Sequence, residues 1–187
     1  MLIIISVGIL AVLYFWYASI VTRNNKVLEA LSGIDVQLKK RTDLIPNVLE
    51  IARRFMEHEK NIFEEITRLR EATSKDYDQT DVSQVKEHLT NAGALTSAMN
   101  GLMVRAENYP ELKSNQNMLQ AQQTYNEVEE QISASRRFYN SAVGSLRNSI
   151  QIFPGNILAG IVGVAALPFF EAAESDKKPV NAKDYLN

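Results

Sequence analysis

Arg41 and Glu59 interrupt an otherwise apolar stripe, which makes them the first residues to ask about chemistry. Stepping by threes and fours gives Val27, Leu31, Ile34, Leu38, Arg41, Ile45, Val48, Ala52, Phe55, Glu59, Ile62, Ile66 and Leu69, and eleven of these thirteen are apolar. One face of a long helix is therefore hydrophobic throughout and needs partner helices to cover it. A guanidinium on that face must find a carboxylate or several carbonyls, because an unpaired buried charge is very costly. Asp43 is local, and Glu127, Glu129 and Glu130 lie on a later helix. Two roles fit: a buried ion pair that fixes helix register, or a polar pocket for a ligand or partner chain. Pro46 lacks an N–H and crowds the Thr42 carbonyl, so it is expected to bend or restart the helix. Arg41, Asp43, Pro46 and Asn47 are expected to form a polar cluster with Arg136, Tyr139 and Asn140.

Other chemistries lack their residues. With no Cys there is no thiolate ligand, thiol nucleophile or disulfide. His58 sits between Glu57 and Glu59, but neither it nor His88 has a carboxylate three residues earlier, so the Glu-x-x-His of di-iron bundles is missing. There is no His-Glu-x-x-His, Gly-rich phosphate loop or Gly-x-Ser-x-Gly. Glu57, Asn61, Glu64 and Arg68 read as a solvated face with an i, i+4 ion pair. The net charge is −2, and Arg136–Arg137 is too short a basic run to hold nucleic acid. No catalytic residue, metal or cofactor is expected.

The elements that position these residues read as all-α. Leu2 to Val21 is twenty residues without charge. That matches a bilayer core about 30 Å thick at 1.5 Å per residue. Tyr14, Trp16 and Tyr17 suit an interfacial belt. With no basic run before the span and no small-x-small site before Arg23, a retained anchor is favoured over a cleaved signal. Arg23, Lys26, Lys39, Lys40 and Arg41 follow, so the positive-inside rule puts the N-terminus out and the body in the cytoplasm. The basic excess after the span suits anionic lipid headgroups. Helix one is expected to reach Ala72, Thr73–Thr80 to turn, and Asp81 to cap a second helix through Ala106. Pro110 opens a third, carrying Met118, Tyr125, Ile132, Tyr139, Leu146 and Phe153 on one face. Asn156 is expected to cap an apolar fourth segment through Phe170, too short and broken for a second span.

Four motifs in order then carry a resemblance. The chain resembles the LemA family through its leading apolar helix, Arg41–Thr42–Asp43–Leu44–Ile45–Pro46–Asn47, Asn108–Tyr109–Pro110–Glu111–Leu112, Ala134–Ser135–Arg136–Arg137–Phe138–Tyr139–Asn140, and Phe153–Pro154–Gly155–Asn156 before an apolar stretch ending Phe169–Phe170. The resemblance implies a bacterial membrane-anchored helical bundle without accepted catalytic residues. Relatives like lipoproteins imply the opposite side of the membrane as an alternative for the bundle.

The sequence thus divides into an anchor at 1–22, a bundle at 23–170 and a polar tail at 171–187. The bundle is expected to be antiparallel, with three long helices and a short apolar fourth segment. Helix one rises about 75 Å, helix two returns about 39 Å, and helix three climbs about 65 Å. That places Phe153, Ile157, Ile161, Val164, Leu167, Phe169 and Phe170 at the tip farthest from the span. So large an apolar patch must be covered, by a fold-back onto the bundle, by another protomer or by a second membrane, and a ring- or cage-like homo-oligomer in which these segments meet is the favoured cover. The functional expectation is an inner-membrane scaffold or assembly protein working through helix–helix contacts, with the bilayer, copies of itself and other membrane proteins as partners. The alternative is a tethered sensor with a pocket near Arg41 and Arg136.

Overall fold

The computed structural model describes residues 1–171, apart from the side chain of Leu2; the polar tail expected beyond them lies outside the described residues. Six helices and no strand are found among the described residues: α1 Leu2–Arg53, α2 Lys60–Thr73, α3 Val82–Ala106, α4 Pro110–Lys113, α5 Gln116–Gln151 and α6 Gly155–Val162. The chain divides into two compact units. One comprises Met1–Gln37, Tyr77–Lys86 and Glu130–Phe169; the other comprises Leu38–Asp76 and Glu87–Glu129, with residues 170–171.

The second unit holds four alternating helical segments, one more than the apolar periodicity predicts. Helix one does not continue to Ala72. It stops at Arg53, turns through residues 54–59, and returns as α2. Met56 is fully buried in this turn, its N–H donates to the Ala52 carbonyl at 3.0 Å, and the Glu59 N–H donates to the Met56 carbonyl at 3.1 Å. α2 then runs back along α1: Arg53 lies 5.5 Å over the Phe63 ring, and Arg70 Nε donates to the Thr42 carbonyl at 2.8 Å. α3 reverses again, so that Arg105 meets Glu59 and a Cβ on Gly101 would touch Ile62 at 3.9 Å. α5 reverses once more, with Gln122 against Met103. The core between them includes Ile45, Val48, Met56, Ile66, Leu95, Met99, Leu102 and Met118, all fully buried. Burying both halves of the stripe against each other outweighs the few backbone hydrogen bonds lost at the turn.

Local chemistry sets the other boundaries. Asp81 Oδ1 accepts the N–H groups of Ser83 at 2.8 Å and Gln84 at 3.1 Å, which caps α3. Pro110 opens only the four-residue α4. Asn115 Oδ1 then accepts from the N–H groups of Asn117 and Met118 and starts α5.

In the first unit α1 and α5 are antiparallel. Arg23 Nη1 donates to the Ser145 hydroxyl and carbonyl, while further along α1 Asp35 lies close enough to act electrostatically on Tyr139. Val27, Leu31, Ile34, Tyr139, Val143 and Leu146 are fully buried here. The end of α5 is therefore beside the end of the N-terminal apolar run. The apolar segment following α5 is not at the end farthest from that run, where the length arithmetic places it. A Cβ on Gly155 would meet the Trp16 ring at 3.4 Å. Arg23 meeting Ser145 sets α5 antiparallel to α1 in this unit, so α5 ends beside the apolar run and not beyond it. The fourth segment is also shorter than expected, an eight-residue α6 closed by Gly163 at φ 72, with the Val164 N–H bonding back to the Ala159 carbonyl.

Candidate functional site

The cationic residue on the apolar stripe is sealed. Arg41 has no exposed surface. Its Nη1 donates to Thr96 Oγ1 at 2.6 Å and to Glu129 Oε1 at 3.2 Å, and its Nη2 donates to the Ala92 carbonyl at 3.0 Å. Helices α1, α3 and α5 are thus tied by one guanidinium. Glu129, the middle of the three glutamates foreseen for α5, carries the countercharge and stays 23% exposed. One buried polar atom of the knot, Arg41 Nε, makes no hydrogen bond. Burial, then the Glu129 charge, push the Tyr125 phenol well above its ordinary pKa despite the opposing pull of Arg41.

Asp43, Pro46 and Asn47 are exposed on the same helix. Asp43 accepts from Lys39 at 2.8 Å on the solvent side, so it does not serve Arg41. Pro46 neither ends nor restarts α1, which continues to Arg53. A proline at 46 removes the N–H that should bond the Thr42 carbonyl. The Arg70 guanidinium of α2 donates to that carbonyl, and the Thr42 hydroxyl donates to the Lys39 carbonyl at 2.8 Å. The neighbouring helix repairs the defect.

Arg136, Tyr139 and Asn140 belong to the first unit, whereas every partner just given for Arg41 belongs to the second. Tyr139 is buried and donates to the Pro168 carbonyl at 2.7 Å, which fastens the segment after α6 to α5. Arg136 and Asn140 are half-buried. A polar group that the periodicity does not reveal lies nearby in the same unit. Asp35 accepts from the Tyr77 hydroxyl at 3.0 and 2.8 Å and from Gln79 Nε2 at 2.8 Å. This ties the loop before α3 to α1. Burial and the Asp35 charge raise the Tyr77 phenol far above its usual value, and burial with the same charge raises Tyr139. Asp35 follows Ile34 of the stripe, and its partners lie in a polar loop without periodicity, so no spacing signal links them.

The apolar residues expected to meet at a tip divide. Leu167 and Phe170 are buried, and Val164 is half-buried. Phe153, Ile157, Ile161 and Phe169 are exposed. Arg147 lies 4.5 Å over the Phe169 ring. A cavity of about 410 Å³ opens beside them, lined by Phe15, Trp16, Ser19, Arg23, Ser145, Asn148, Ser149 and Ile152. His58 and Glu57 line a second, of about 550 Å³, at the α1–α2 turn with Arg53 and Lys60. Among the described residues no cluster of three or more His, Asp or Glu side chains is arranged to hold a metal. The geometry offers helix-fastening polar contacts.

The sequence model of the LemA family matches residues 30–183. Protein LemA of Metamycoplasma hominis is 24% identical over 186 residues, covering 98% of this chain and 82% of that relative.

Proposed function

Since the chain belongs to the LemA family, we propose that it is a membrane-anchored helical scaffold that acts through helix–helix contacts and assembles with copies of itself. The observation that carries this reading is the enclosure of Arg41. The most conspicuous charge on the apolar stripe is committed to Thr96, Glu129 and Ala92, so it organises packing rather than facing a ligand. The LemA family is not a known enzyme family. The N-terminal helix is long and apolar enough to cross a membrane and is almost wholly exposed there, which supports its use as the anchor. The excess of Lys and Arg after the apolar run supports a cytoplasmic bundle.

Light scattering of the intact protein in mild detergent tests the assembly. A protein mass that is a multiple of 21.0 kDa is expected, and a lone 21.0 kDa species overturns self-assembly. Protease added outside spheroplasts tests the side. An intact bundle is expected, and digestion places it on the outer face.

A further inference from the structure

We propose that α6 and its flanks form a second membrane-inserted element, one that dips into the acyl-chain region beside α1 without crossing it. The proposal rests on the reading of α1 as an anchor and adds a partner for the exposed apolar face of α6. Depth comes first. Gly155, at the start of α6, packs on Trp16, with 3.4 Å between an added Cβ and the ring. Trp16 precedes the first charged side chain, Arg23, by seven residues, which is about 10 Å along a helix. α6 therefore starts below the charged boundary of the apolar run.

Its outward face is apolar at helical spacing. Phe153, Ile157 and Ile161 are 73%, 56% and 77% exposed, while Gly155 and Ala159 face inward. This face continues the exposed surface of α1, where Ile5, Ile9 and Val12 are more than half exposed. At eight residues, about 12 Å, α6 is too short to span. The chain beyond Gly163 is not helical, and such backbone is tolerated at depth only against protein. Leu167 is buried and the Pro168 carbonyl accepts from Tyr139, which seats this part against α5, while Gly163 and Ala165 are exposed.

Charge marks the boundary. No charged side chain occurs at 2–22 or at 148–170, and the two runs are bordered by Arg23 and Arg147. Arg23 reaches Ser145, two residues from Arg147. No acid occurs at 1–28 or 131–170. Two arginines at one level suit lipid phosphates, and Glu171 is the acid that follows the second run. A bilayer is therefore the occupant that continuity and charge select, and a second copy is the rival that the test separates.

The chain has no Cys, so single labels are clean. The full-length protein carrying Ile157→Cys or Ile161→Cys, each with a nitroxide, is placed in phosphatidylcholine–phosphatidylglycerol vesicles. Ile9→Cys reports the anchor and Val36→Cys the aqueous part of α1. All four positions are more than half exposed, so no core contact is removed. Gly160→Cys, where an added Cβ meets nothing within 4 Å, replaces any α6 variant that loses helical content. Collisions with dissolved oxygen should exceed those with an aqueous nickel chelate at Ile9, Ile157 and Ile161, with the order reversed at Val36. Positions 157 and 161 behaving like Val36 while Ile9 remains lipid-facing overturns this inference and leaves the anchor standing. Low access to both quenchers with dipolar broadening shows a second copy on the face and also overturns it. An aqueous Ile9 removes the anchor and the inference together.

Discussion

If Arg70 repairs the backbone defect at Pro46, replacing both residues should cost less than the separate effects imply. Thr42 is 2% exposed, so its carbonyl has little access to water. Arg70→Ala removes the donor held at 2.8 Å. A hydrogen bond from a charged donor contributes about 1.5–3 kcal/mol, and the lower figure applies because Arg70 is half-buried. Alanine at 46 restores the intrahelical N–H, so in the Pro46→Ala background the same carbonyl is already bonded. Arg70→Ala should then cost about 0.5 kcal/mol, from lost packing of its stem. The stem term is common to both backgrounds and cancels, so the coupling is about 1.5 kcal/mol. At about 2–4 °C per kcal/mol for a chain of this size, it is readable in Tm. Pro46→Ala alone should stabilise, because proline in a helix interior is roughly 3 kcal/mol less favourable than alanine, less about 1 kcal/mol for the freer unfolded chain. The assay is a four-protein cycle followed by far-ultraviolet circular dichroism in one detergent. Effects of Arg70→Ala that agree within about 0.3 kcal/mol in both backgrounds would refute the repair.

Three further outcomes are expected. Arg41→Ala should destabilise by about 3 kcal/mol, since it removes one member of a buried pair, and thermal melts of Arg41→Ala and Glu129→Gln should rank them in that order. A raised phenol pKa contributes stability below its unfolded value, near 10, and loses it as pH rises through the folded value. Tyr77 and Tyr139 should therefore resist ionisation on alkaline titration at 295 nm, and Tyr77→Phe should remove one late step. The Asp81 carboxyl is held below its usual range by hydrogen bonds from Gln84 and Ser83, so its contribution is present above about pH 4 and is lost as pH falls through the lower, folded value. Asp81→Asn should narrow the difference between neutral and acid Tm, and an unchanged difference would show that the cap does not titrate.

What the residues reveal by themselves depends on how local the cause is. The α3 boundary is legible because Asp81 caps its own helix two and three residues on. The apolar stripe correctly marks one buried face, with Ile34, Ile45, Val48, Ile66 and Leu69 all in the core. The turn at 54–59 is not legible, because it contains neither Gly nor Pro and Phe55, Glu59 and Ile62 keep the helical phase across it. Only packing of α2 against α1 selects it. Pro46 misleads for the complementary reason: its compensation comes from Arg70, outside any helical neighbourhood. Glu129 is one of three acids within four residues, and the azimuth of α5 separates them only once the helices are packed.

The division of the chain into two units has a consequence for the order of folding. The second unit is built largely from 38–129, nested between the two principal segments of the first. Its contacts close short loops, such as Arg53 to Phe63 and Met103 to Gln122. The first unit instead joins residues as far apart as Arg23 and Ser145, 122 positions in sequence. Closing so long a loop in an open chain carries a high entropic cost, and prior folding of the nested segment shortens the effective loop. Prior folding of 38–129 thus shortens the loop that Arg23 and Ser145 must close. During synthesis the apolar run at 2–21 is made well before its partner in α5, which arrives only with the last third of the chain.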